Sequence, residues 1–186
     1  CYVTSAYGMT ETAMSNITRL DDPVEVVCET VGRPQPGMEH KVVDEKRRIV
    51  PLGAKGEACA RGQNVCIGYF QDPERTAQTI DDRGWIYSGD LATMDENGNL
   101  RIVGRIKDMI VRGGENISPA EIEDILYTYP QVAQVSVVAV PDERLGEKTC
   151  ACIIPKPGGS ITQEEVKAFF KDQVAHFKIP DRVELM

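Results

Sequence analysis

Apolar positions change their period along this chain. From residue 119 onward, helical and strand spacings alternate. Ile122, Ile125, Leu126 and Tyr129 stand at i, i+3, i+4 and i+7, one face of an α-helix. Residues 134–140 are rich in valine and strand-like. Residues 149–154 make a second strand, closed by Pro155-Lys156-Pro157-Gly158-Gly159. Val166, Phe169, Phe170 and Phe177 mark another helical face, opened by Thr162 and Glu165 at capping-box spacing. Residues 183–186 read as half a strand.

Upstream the pattern is shorter in stride. Residues 1–5 read as a strand end and 7–11 as the loop after it; residues 23–36 are punctuated by turns. Strand-like pieces at 40–44, 57–61 and 65–69 are separated by Pro51, Gly53, Gly56 and Gly62, which predicts a small twisted sheet or a distorted barrel. Asp72-Pro73-Glu74 opens a brief helix to Ile80. Strands at 85–93 and 99–103 flank Asn97-Gly98, a hairpin turn signal. Asp90, straight after Gly89, is a carboxylate in an otherwise apolar strand; such a residue ends pairing or binds something.

Residues 104–123 join the two textures. Arg105 and Lys107 flank the end of one strand, and a second follows at 109–111. Gly113-Gly114 permits a turn that side chains forbid. Ser118 suits an N-cap, Pro119 the first helical position and Glu121 a capping-box carboxylate. Strand, glycine turn and capped helix bring charge and bare amides together, a way to hold a phosphorylated ligand or simply to turn a corner. The fold class expected is α+β. A β-rich tail of a larger domain occupies residues 1–106, and a small α+β domain of about 80 residues occupies 107–186, a size at which domains fold alone only marginally.

Composition narrows the function classes. A net charge of −8 disfavours a nucleic-acid scaffold but leaves single nucleotides open. No apolar run approaches the roughly 20 residues of a membrane-spanning helix. Six cysteines lack any C-x-x-C, and His40 and His176 stand alone, so free thiols in a reducing, cytoplasmic compartment are favoured over structural zinc. Cys150 and Cys152 share one strand face. The abrupt start at Cys1 and the half-strand end suggest a fragment.

Three motifs in order carry a family resemblance: Tyr7-Gly8-Met9-Thr10-Glu11, Tyr87-Ser88-Gly89-Asp90-Leu91-Ala92, and Gly104-Arg105-Ile106-Lys107-Asp108 with Gly113-Gly114-Glu115-Asn116. Together they resemble the adenylate-forming superfamily of acyl-CoA synthetases, luciferases and peptide-synthetase adenylation domains. Cys150-Ala151-Cys152-Ile153 and His176-Phe177-Lys178-Ile179-Pro180 look most like medium-chain fatty acyl-CoA synthetases. The resemblance implies ATP-dependent activation of a carboxylic acid to an acyl-adenylate, then transfer to coenzyme A. Loading of a carrier protein, or nucleotide binding without chemistry, are the alternatives. By the same resemblance Ala6, Tyr7, Gly8 and Met9 border the adenine, Thr10 contacts phosphate, and Glu11 holds Mg²⁺. These types suit the chemistry, since a flat ring matches a purine and a carboxylate is a hard ligand for magnesium. Asp90 accepts the ribose hydroxyls, and Arg105 reaches ribose or phosphate. Ile102 packs near the nucleoside or is plain core, and Asn116 meets the nucleotide or is a plain turn residue. Lys107 falls at the family's hinge, and Gly113, Gly114 and Glu115 at its pantetheine tunnel. Lys171 and Lys178 are candidates for CoA phosphates, against the plainer reading of solvated lysines. The family's upstream phosphate loop, most of its acyl pocket and its C-terminal catalytic lysine have no counterpart here, so this polypeptide alone is expected to be inactive. Oligomeric state is not legible.

Overall fold

A computed structural model describes residues 1–171 and 173–186. The chain divides into two compact units, Cys1–Ile106 and Lys107–Met186.

The first unit opens with an antiparallel hairpin, β1 (Ala6–Met9) and β2 (Ala13–Ile17). Helix α1 (Val24–Glu29) follows, and β3 (Arg33–Pro34) pairs back onto β2. A second sheet is a meander of β4 (Met38–Val43), β5 (Gly56–Gly62), β6 (Ile86–Met94) and β7 (Leu100–Arg105), with α2 (Pro73–Thr79) between β5 and β6. Asp72 caps α2 by accepting from Arg75 N at 3.0 Å, ahead of Pro73 at the first turn. Val42, Ala58, Ala92 and Leu100 form one buried cluster, and Met38, Ala60 and Ile86 another.

Several expectations need correction here. Of the two architectures offered by the strand spacing, the four-stranded sheet is open and does not close into a barrel. The strand expected at 1–5 lies instead at Ala6–Met9, inside the glycine motif. Gly8 is a strand residue because a Cβ there would lie 1.8 Å from the Ala13 carbonyl oxygen, so only glycine lets β2 approach. Residues 65–69 are not a strand; their chain turns, with one isolated bridge between Tyr69 and Asp72. Residues 23–36 hold α1 as well as turns. The hairpin at Asn97-Gly98 forms, but only Gly98 takes a positive φ, of 79°. Asp95 holds this turn, its carboxylate accepting from Asn97 N at 2.9 Å and Asn99 N at 2.8 Å.

The second unit begins with a 3₁₀ turn, Ile106–Asp108, then the hairpin β8 (Ile110–Arg112) and β9 (Glu115–Ile117). Gly113 and Gly114 are its two loop residues, at φ 60° and 89°, as a tight primed turn requires. Helix α3 (Pro119–Tyr127) leads to β10 (Val132–Asp142) and its antiparallel partner β11 (Gly146–Pro155); α4 (Gln163–Phe169) and β12 (Arg182–Leu185), parallel to β11, complete the unit. Strand order is β10-β11-β8-β9, with β12 also on β11. Ile122 and Leu126 from α3 and Val166 from α4, with Phe170 just after it, pack with Ile110, Val135, Val137, Ala151 and Ile153. The capping box at Thr162 and Glu165 is present in both directions. At α3 it is not, since Glu121 Oε1 instead accepts from Lys178 Nζ at 2.6 Å. Arg112 clamps Asp181 with two bonds of 2.9 Å, tying β8 to the start of β12. All six cysteines are free thiols, and among the described residues no helix is long and apolar enough to cross a membrane.

His40 sits on β4 between Met38 and Val42 on the same face. Both ring nitrogens are buried without a hydrogen-bond partner, and burial lowers its pKa to about 4. The unfolded chain therefore takes up the proton first. Stability from neutral His40 is complete above pH 6.5 and is lost as pH falls toward 4, by up to about 3 kcal/mol. Urea unfolding of wild type and His40→Met between pH 7 and 4 checks this. The variant is expected to stay flatter, whereas parallel losses would place the acid sensitivity elsewhere. Asp142, lowered to about 2 chiefly by its bond to Lys148, acts below that window.

Candidate functional site

The glycine motif places Tyr7 at an irregular point of the β1–β2 hairpin. Tyr7 pairs with Asn16 and Gly8 with Met14, so Ser15 is extra, and its hydroxyl donates to Tyr7 O at 3.3 Å. Thr12 Oγ1 accepts from Met9 N at 3.3 Å and donates to Ala13 O at 3.2 Å, fixing the turn that carries Thr10 and Glu11.

Asp90 is re-aimed by a bulge. Against β5, Leu91 pairs with Glu57 and Tyr87 with Cys59, so Ser88, Gly89 and Asp90 oppose Ala58 alone. Gly89 supplies the positive φ, of 74°, and donates its N–H to Glu57 Oε1 at 2.9 Å. Ser88 Oγ donates to Ala58 O at 2.7 Å and accepts from Asp90 N at 3.0 Å. Thus the strand expected at 85–93 exists, but its middle is bent out of the ladder to present a carboxylate.

The structure brings Tyr7, Asp90 and Arg105 together. The Tyr7 hydroxyl donates to Asp90 Oδ2 at 2.6 Å, and Arg105 Nε lies 3.3 Å from Asp90 Oδ1. Asp90 and Arg105 are cross-strand partners. Burial first, then the bond to Asp90, pushes the Tyr7 phenol above its ordinary range, so it stays a donor. The Asp90 side chain is 13% exposed and that of Arg105 60% exposed, so the guanidinium remains open to a second anion. Ile102 and Tyr7 both pack against the cluster of Val42, Ala58, Ala92 and Leu100. Ala6 and Thr10 are exposed on the same hairpin.

A cavity of about 440 Å³ lies in this unit, lined among others by Met9, Glu11, Tyr69, Arg75 and Gly89. Glu11 Oε1 accepts from the Tyr69 hydroxyl at 2.7 Å, which holds that phenol above its usual range. The Arg75 guanidinium stacks 4.3 Å over the Tyr69 ring, and Arg47, at φ 60°, lies 4.1 Å over Tyr87. Sequence reasoning missed Tyr69, Arg75 and Arg47. No local spacing marks Tyr69 or Arg47, because their partners Glu11 and Tyr87 lie far away in the chain; Arg75 is near Tyr69 in sequence, but the turn that sets the ring under its guanidinium carries no periodic signal. The Tyr69 and Tyr87 rings and the Arg47 and Arg75 guanidinium groups that line the cavity suit a nucleotide, and Asp90, one position past the lining residue Gly89, carries a carboxylate of diol size. The hard carboxylate oxygens of Glu11 beside the cavity suit Mg²⁺.

The remaining candidates lie in the second unit. Lys107 is exposed in the 3₁₀ turn that opens it. Gly113 and Gly114 form the β8–β9 loop, with Glu115 and Asn116 exposed just after it. A Cβ on Gly114 would meet nothing within 4 Å, so the backbone conformation, not space, demands glycine there. Lys171 is exposed, whereas Lys178 is already paired with Glu121.

Comparison with known proteins agrees with this geometry. The family model for AMP-binding enzymes matches residues 1–70, and that for the AMP-binding enzyme C-terminal domain matches residues 121–186. The medium-chain fatty-acid–CoA ligase of Escherichia coli K12 is 49% identical over 181 residues, 96% of this chain and 32% of that protein. The mitochondrial medium-chain acyl-CoA ligase of Homo sapiens is 47% identical over 177 residues, 94% of this chain and 29% of that protein. ATP-bound MatB from Rhodopseudomonas palustris superposes with a TM-score of 0.94 at 35% identity, over 99% of this chain and 36% of that one. The chain thus spans about a third of the length of the curated relatives it matches. Two family models in order, similarity over nearly the whole chain and the Tyr7–Asp90–Arg105 cluster lead to one assignment: the chain belongs to the AMP-binding enzymes, the adenylate-forming superfamily.

Proposed function

We propose that this chain serves in an AMP-forming acid–thiol ligase acting on a carboxylic acid, most simply a fatty acid. The observation that carries the reading is the cluster in which Asp90, bent out of its strand, meets Tyr7 at 2.6 Å and Arg105 at 3.3 Å. In the first half-reaction an acid oxygen attacks the α-phosphorus of ATP, and the bond to the β-phosphate breaks to release pyrophosphate. In the second, the CoA sulfur attacks the acyl carbon, and AMP leaves with the electron pair of the broken C–O bond.

Within this scheme Tyr7 flanks the adenine, with Ala6, Gly8 and Met9 beside it, and Asp90 accepts the ribose diol. Thr10 contacts phosphate, and Arg105 reaches ribose or phosphate. Glu11 would hold Mg²⁺, which neutralises phosphate charge when bound. Residues 1–106 act as part of the AMP-binding domain and 107–186 as the small domain, with Lys107 as the hinge. Asn116 completes the nucleotide contacts, and Gly113, Gly114 and Glu115 line the thiol path. Six free cysteines suit a reducing, cytoplasmic setting.

Product analysis tests the reading. The full-length protein given ATP, CoA and a medium-chain fatty acid should yield AMP, pyrophosphate and acyl-CoA in equal amounts. Residues 1–186 alone should give no pyrophosphate above background, because too few groups face the developing charge. Formation of ADP, or pyrophosphate release by residues 1–186 alone, would contradict it.

A further inference from the structure

One contact in the cavity is left unexplained by these roles. The Tyr69 hydroxyl donates to Glu11 Oε1 at 2.7 Å across 58 positions of sequence. Tyr69 is itself held on several sides. Its N–H donates to Thr76 Oγ1 at 2.9 Å, and that hydroxyl donates to Asp72 O at 2.8 Å. Arg75 covers its ring at 4.3 Å, and Arg75 N binds the capping Asp72 at 3.0 Å. The Glu11 backbone is anchored too, its carbonyl accepting from Cys66 N at 2.8 Å. Glu11 Oε2, by contrast, accepts no hydrogen bond from any described residue. The carboxylate is thus fixed with one oxygen engaged and one offered.

We infer that Tyr69 is the positioning residue for Glu11, making it a one-oxygen ligand that favours Mg²⁺ over a larger cation such as Ca²⁺. The inference rests on the proposed cation-binding role of Glu11. Mg²⁺ demands a small, near-octahedral shell and is met by single carboxylate oxygens, whereas Ca²⁺ accepts both oxygens of one carboxylate in a larger, looser shell. While the phenol donates to Oε1, two-oxygen binding is closed. Thr76, Asp72 and Arg75 make that donor rigid, and a pre-fixed oxygen saves the cost of ordering it on binding.

Tyr69→Phe in the full-length protein deletes one oxygen and keeps the ring under Arg75. The readout is Mn²⁺ binding in the presence of ATP, followed by electron paramagnetic resonance, with Mg²⁺ and Ca²⁺ as competitors. Tyr69→Phe is expected to weaken Mg²⁺ about tenfold and Ca²⁺ by much less, with the melting temperature retained. Arg101→Gln, which removes a cation paired with Glu29 outside the cavity lining, should shift Mg²⁺ by less than about threefold. Equal losses for both cations, or an Arg101→Gln effect matching that of Tyr69→Phe, would overturn the inference. Glu11→Gln separates the layers. If it leaves Mg²⁺ binding unmoved, the cation role of Glu11 falls and the inference with it. If it weakens Mg²⁺ while Tyr69→Phe does not, the role of Tyr69 alone is refuted.

Discussion

Lys107→Pro in the full-length protein is expected to keep acyl-adenylate formation and to slow thioester formation by roughly two orders of magnitude or more. Lys107 is the first residue of the second unit, and it is exposed within the Ile106–Asp108 turn. A hinge needs a position where few contacts cross and one φ/ψ pair absorbs the motion. Proline fixes φ near −65° and removes the N–H. It also steers the preceding residue, Ile106, away from the helical region that a 3₁₀ turn uses. The turn is then confined to fewer arrangements, and a reaction that needs two domain positions in sequence loses one. A lysine side chain stays solvated in either position because its charge follows the water. Lys107→Ala should therefore leave both half-reactions within about tenfold, since torsional freedom matters more than the ammonium. Pyrophosphate release and single-turnover transfer from preformed acyl-adenylate measure the halves separately. Loss of adenylation in Lys107→Ala, with transfer spared in Lys107→Pro, would assign the effect to the side chain and end the hinge reading.

Asp90→Ala should raise the apparent ATP constant about 10- to 150-fold and leave the preference among acids unchanged. The range follows from hydrogen bonds to a charged group, worth roughly 1.5–3 kcal/mol. Asp90 faces Tyr7 and Arg105, which the proposed roles place on the nucleotide and not on the acyl group. Removing it also strips the Tyr7 hydroxyl of its acceptor, and Asp90→Asn, which keeps an acceptor oxygen, should lose less. An unchanged ATP constant with altered acid selectivity would move Asp90 away from the ribose.

Much of the second unit was legible because its signals are local. The spacing of Ile122, Ile125, Leu126 and Tyr129 predicted α3, and Ile122 and Leu126 are its buried residues. The Thr162–Glu165 capping box also forms as spaced. The matching signal at Ser118 and Glu121 does not, because Lys178, distant in sequence, takes the carboxylate. Helix α1 was hidden because it is only six residues long, too short to show a helical period, and has no side-chain cap at its start. The strand of the glycine motif was displaced in the reading because Gly8 looks like a turn residue. Its true constraint, the Ala13 carbonyl at 1.8 Å from any Cβ, is a tertiary one. The motifs around Tyr7, Asp90 and Arg105 are contiguous, so a resemblance could point to them. The bond between Tyr69 and Glu11 spans 58 positions, and the stacking of Arg47 on Tyr87 likewise joins separate strands and turns. No period along the chain encodes such pairs.

The central claim is that the Asp90 carboxylate recognises a ribose diol. Calorimetric titration of the full-length protein with ATP and with 2′,3′-dideoxy-ATP tests it most directly. Wild type should bind ATP at least about tenfold more tightly than the dideoxy compound, and Asp90→Ala should bind the two alike. Equal affinities in wild type, or a preference for ATP that survives Asp90→Ala, would contradict the account.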